Sequence, residues 1–127
     1  MAGARRSGSC TMAAAAGLAT LEVYKEERLF DRCAELSPYW EQVMHGLKGT
    51  RHVIDIRNLG LIVGIELESR AGKPGARAYE AFRKAWDAGL LIRVTGDIIA
   101  LSPPLIVEKH HIDRMAETLR KVLQALD

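Results

Sequence analysis

The spacing of apolar side chains divides the chain into stretches of two periods. Residues 12–27 (MAAAAGLATLEVYKEE) are alanine-rich, with Leu18, Leu21 and Val23 on a partial stripe. Alanine is the strongest helix former and a single glycine costs only about 1 kcal/mol, so this stretch predicts a helix, with Thr11 placed to cap it. In LFDRCAELSPYWEQVMHGLK, residues 29–48, Phe30, Cys33, Leu36, Trp40, Val43, Met44 and Leu47 recur at intervals of three and four, which predicts a second helix. Pro38 lies inside that run and should kink the helix or restart it, with Ser37 as the new cap.

After Gly49 the period shortens. VIDIRN predicts a strand, and LIVGIELE after Gly60 a longer one. In the latter, Leu61, Val63, Ile65 and Leu67 share one face, while Ile62, Gly64, Glu66 and Glu68 share the other. SRAGKPG is a turn-rich loop. Residues 76–88 return to helix, with Tyr79, Phe82 and Trp86 stacked on one face and Gly89 as a natural C-cap. LLIRVT alternates again: Leu90, Ile92 and Val94 point one way, and Leu91, Arg93 and Thr95 the other. Gly96-Asp97 separates it from IIAL, and a two-residue loop with glycine first predicts a type II′ hairpin. Pro103-Pro104 stops that strand. A last helix opens at Glu108 or Lys109, with Ile112, Met115, Leu119, Val122 and Leu126 facing inward. Two hairpin-like pairs separated by a helix predict an α+β domain, a small, mostly antiparallel sheet with helices packed on one face.

Composition narrows the chemistry. The 127 residues fit a single domain, and 48% hydrophobic content is enough to bury a core. With 18 basic residues interleaved with 16 acidic ones there is no basic face, so nucleic acid is not an expected partner. No apolar run reaches the roughly 18 residues needed to span a bilayer, so no membrane association is expected, and the cytoplasm is the expected location. The first acidic residue is Glu22. Arg5, Arg6 and the alanine tract have the bias of a transit peptide, but residues 1–12 read more simply as a disordered or degenerate start.

Catalytic groups are sparse. Cys10 and Cys33 cannot make a disulfide framework or a four-ligand zinc site, and Cys33 on its helix stripe should be a buried, inert thiol. The histidines are His45, His52, His110 and His111. Adjacent helical residues diverge by about 100°, so His110 and His111 are not expected to share an ion, and no metal site is assigned. No phosphate-binding glycine loop and no nucleophile elbow occurs. Gly64, within a strand, would let another backbone approach the sheet. Arg93 stands out beside the hairpin. A guanidinium on a rigid strand can hold a carboxylate through two parallel hydrogen bonds, and it can equally be a solvated arginine whose stem covers apolar neighbours.

Three stretches carry a resemblance: DIRNLGLIVGIEL, GARAYEAF and RVTGDIIALSPPLI. With their surroundings they resemble the C-terminal part of class III (ω-type) PLP-dependent aminotransferases, nearest to the β-alanine, or ω-amino acid, pyruvate branch. The likeness covers residues 13–127. It implies the small domain of a fold type I enzyme, closing over an active site whose PLP and Schiff-base lysine belong to a large domain. It also implies homodimers or higher assemblies acting on amino and keto acids. Arg93 is similar in position to the family's arginine that swings to bind the substrate carboxylate, and is the one substrate-binding residue assigned.

Two departures follow from the resemblance. The family segment [YF]-T-[YF]-S-G-H-P, whose threonine bonds the PLP phosphate of a neighbouring subunit, is replaced by GARRSGSCTM, so no cofactor ligand is assigned. The similarity stops abruptly before residue 13, as expected of a truncated or frame-disrupted gene. Lys25, Lys48, Lys73, Lys84, Lys109 and Lys121 all fall on polar faces or in a turn, so no catalytic residue is assigned and the chain alone is not expected to transaminate. The alternative is a non-catalytic binding or oligomerisation module that keeps the fold.

Overall fold

A computed structural model describes residues 11–127. The expected irregular start, with Arg5, Arg6, Ser7, Gly8 and Cys10, lies outside the described residues. The elements are α1 (Thr11–Glu26), α2 (Leu29–His45), β1 (Val53–Leu59), β2 (Ile62–Leu67), α3 (Ala76–Asp87), β3 (Arg93–Thr95), β4 (Ile98–Leu101) and α4 (Lys109–Gln124). Their order is the one predicted. Thr11 and Met12 already belong to α1.

The four strands form one antiparallel sheet in the order β1-β2-β4-β3. Side chains alternate across a strand, so one face carries Ile56, Val63, Ile65, Ile99 and Leu101. That face packs against Trp40, Met44 and Leu47 from α2 and its end, the alanines of α3, and Ile112, Leu119 and Leu123 of α4. Trp40, Ile65, Ile99 and Leu119 are fully buried, each contributing about 1.5–3 kcal/mol. The face predicted for β2 is therefore the core face. By contrast α1 buries none of its residues and touches α2.

Four features differ from, or add to, what the spacing predicts. First, α2 runs through Pro38 as one helix and does not restart at Ser37. Pro38 is exposed, so the carbonyl it leaves unbonded can face water, while Trp40 and Met44 hold the following turns in the core. Second, α3 buries Ala78, Ala81 and Ala85, and leaves Tyr79 58% and Trp86 61% exposed. The small side chains form the face that meets the core, with Phe82 half-buried at its edge. Third, β3 is short: Leu90, Leu91 and Ile92 lie before it. Fourth, Phe30 is exposed and Cys33 only half-buried, because α2 turns its first turns partly away from the core.

Candidate functional site

Arg93 begins β3 and is paired with Ala100, which is paired with Gly64, which is paired with Arg57. Paired residues project to the same face of a sheet. These four therefore make a row across the open face: an arginine on each edge strand and two small residues between. The next row reads Asp55, Glu66, Ile98, Thr95. At the β1 end, Arg57 Nη1 donates to Asp55 Oδ2 at 2.7 Å and to Glu66 Oε2 at 2.9 Å. The Glu66 hydrogen bond first, and then that of Asp55, raise the Arg57 pKa above its ordinary value. At the β3 end the same row supplies Thr95 and Ile98. Arg93 is exposed and, unlike Arg57, makes no side-chain ion pair or hydrogen bond with a described residue.

The hairpin beneath Arg93 is anchored. Gly96 has φ +57° while Asp97 stays outside the left-handed region, the pattern of the predicted type II′ turn. The Gly75 N–H, just before α3, donates to Asp97 Oδ1 at 2.9 Å, and Leu67 N–H donates to the Asp97 carbonyl at 2.9 Å. Gly75 has φ +77°, and a Cβ there would stand 3.4 Å from the Gly96 carbonyl oxygen. The turn thus rests on the start of α3. Gly64 shows no such crowding: a Cβ there would meet only ordinary contacts.

An open cleft of about 800 Å³ runs beside β3, lined by Leu91, Arg93, Pro103, Ile106, His111 and Arg114 among others. Among the described residues its lining is largely apolar, contains basic groups and holds no carboxylate, which suits an organic anion. Sequence reasoning had found Arg93 but missed Arg114 and His111. Their spacing of three on α4, flanking its apolar stripe, was the available signal.

His110 and His111 do not diverge as expected: their ring centroids are 3.8 Å apart. Glu108, His110 and His111 bring ligand atoms within 4.8 Å of one another, all exposed. There the Glu108 N–H donates to His111 Nδ1 at 3.3 Å, so the helix cap competes with any metal for that nitrogen.

The lysines decide how far the site could hold PLP. None of the six is buried. Lys84 pairs with Glu80 at 3.6 Å, Lys121 with Glu117 at 2.6 Å, and Lys109 lies over the Tyr39 ring. A Schiff-base amine must be desolvated or otherwise activated, and ion pairing at a surface does the reverse. The described residues therefore do not fit covalent PLP.

Comparison with known proteins finds relatives over most of the chain. The aminotransferase class-III family model matches residues 8–123. An omega-aminotransferase of Caulobacter vibrioides is 65% identical over 116 residues, covering 91% of this chain and 26% of that protein. A beta-alanine–pyruvate aminotransferase of Pseudomonas aeruginosa is 36% identical over 115 residues, again covering 91% of this chain and 26% of the relative. Among solved structures, a transaminase with L-ala superposes with a TM-score of 0.78 at 28% identity, over 84% of this chain and 26% of the other. An adenosylmethionine-8-amino-7-oxononanoate aminotransferase from Methanocaldococcus jannaschii gives 0.76 at 28% identity, over 87% of this chain and 26% of the other. The chain thus spans about a quarter of the length of these relatives, which are PLP-dependent. On the family match and the shared fold, the chain belongs to the class III aminotransferases.

Proposed function

We propose that this chain is the C-terminal small domain of a PLP-dependent ω-amino acid:pyruvate aminotransferase. In this reading it closes the active site and offers Arg93 to the substrate carboxylate. It does not transaminate alone, because the amine that holds PLP is supplied by a large domain. The observation that carries the reading is the exposed guanidinium of Arg93 on a pinned hairpin, unpaired among the described residues and beside a cleft to which no described carboxylate contributes. A planar guanidinium binds a carboxylate through two parallel hydrogen bonds, and its long stem lets it enter or leave a pocket. One site can then serve both an amino acid and an amine.

A chimera tests this. Residues 11–127 replace the matching segment of the Caulobacter omega-aminotransferase, and turnover is measured with β-alanine and with an amine lacking a carboxylate. Arg93→Ala should lower kcat/KM for β-alanine about thirtyfold, the loss expected for a charge-assisted hydrogen-bond pair, and leave the amine within twofold. Equal losses on both substrates would refute the role.

The second reading is a non-catalytic oligomerisation module. The exposed Tyr79 and Trp86, with Tyr79 stacked on Phe82 at 6.2 Å, favour it. Light scattering on the 127-residue chain, alongside a PLP titration, separates the two. Self-association through α3 that Trp86→Lys abolishes, with no activity in the chimera, would support the module.

A further inference from the structure

Resting on the carboxylate role of Arg93, we infer that Thr95 and Ile98 are positioning residues that keep this arginine available by withholding a negative charge. The two ends of the arginine row are built on the same plan. Each arginine has a neighbour two residues along its own strand and another diagonal to it on the adjacent strand. At Arg57 those neighbours are Asp55 and Glu66, and both bind the guanidinium. At Arg93 they are Thr95 and Ile98, and neither can. The hairpin does contain one carboxylate, Asp97, but it accepts the Gly75 N–H at the start of α3 instead. A carboxylate is favoured at a helix N-terminus, so Asp97 is drawn away from Arg93. An arginine tied to its own sheet must break that tie before it binds a substrate, and the cost appears as weaker substrate binding. An untied one pays nothing.

The test installs the missing clamp. In the 127-residue chain, Thr95→Asp with Ile98→Glu should slow proton exchange at Arg93 Nε, read by 15N NMR, about fivefold, the capture expected of an exposed ion pair. The uncharged pair Thr95→Asn with Ile98→Gln should not. Thr95 is exposed, so Thr95→Asp alone keeps the test in hand where the double variant fails to fold. In the chimera, the charged pair should raise KM for β-alanine about fivefold and leave kcat and the carboxylate-free amine unchanged, with the effect shrinking at high salt. Unchanged exchange at Arg93 overturns the inference. So does an unchanged KM where Arg93→Ala is damaging. If Arg93→Ala itself spares β-alanine, the carboxylate role fails, and the exchange measurement still decides whether these two positions set the freedom of Arg93.

Discussion

The two edges of this sheet carry the same residue in the same row and put it in opposite states. On β1, Arg57 is spent: two carboxylates hold it at 2.7 and 2.9 Å. On β3, Arg93 faces a cleft and no described acid. The backbone treats both alike, so the difference lies in what stands beside each guanidinium. An arginine's role is set by its neighbours in the register rather than by its own exposure. Both are exposed, and only one is free to bind something else.

The comparison can be broken at its support. Ile99 is fully buried between Ile65 and Val94 under the centre of the sheet. Ile99→Ala should cost about 3 kcal/mol in urea unfolding and loosen both ends together. A loss confined to the β3 end would mean that the two edges do not share one floor. The next effect is the split at the arginines. In the chimera, Arg93→Ala should cost the thirtyfold stated above on β-alanine, while Arg57→Ala should change turnover of either substrate less than twofold. A comparable loss from Arg57→Ala would erase the distinction. A smaller effect comes from freeing the spent arginine. Asp55→Asn with Glu66→Gln should destabilise the chain by no more than about 1 kcal/mol, since exposed ion pairs are weak, and should leave Arg93 exchange unaltered.

The smallest effect concerns a third arginine. Arg70 Nη2 donates to Glu80 Oε2 at 2.8 Å, and that hydrogen bond, against a smaller opposing cost of burial, lowers the Glu80 pKa below its ordinary value. A carboxyl whose folded pKa is depressed stabilises the fold above its unfolded pKa of about 4.5. That contribution is lost as pH falls through the folded value. The stability gap between the parent and Glu80→Gln should therefore be about 0.5 kcal/mol at neutral pH and close as pH falls through the lowered folded value. A gap that widens in acid would contradict the sign.

Much of this was legible in the residues. Alternation set the faces of β2, the stripe of α4 came out largely as read, and Gly96-Asp97 marked the hairpin that presents Arg93. The misreadings share a cause. Periodicity finds an apolar face but not the distance to what it packs on. On α3, Ala78, Ala81 and Ala85 meet the core and Tyr79 and Trp86 do not. At Pro38 the helix continues and does not restart at Ser37, with the next turn held by buried Trp40 and Met44. The free state of Arg93 depends on which residues stand opposite, so it needed the strand register. That Arg114 and His111 line the same cleft as Arg93 shows only in the folded chain.

The hairpin turn is seated on the start of α3. Through the Gly75–Asp97 bond the turn that follows Arg93 is fastened to the helix that carries Tyr79 and Trp86. One carboxylate thus joins the strand of the exposed guanidinium to the helix of the exposed aromatics.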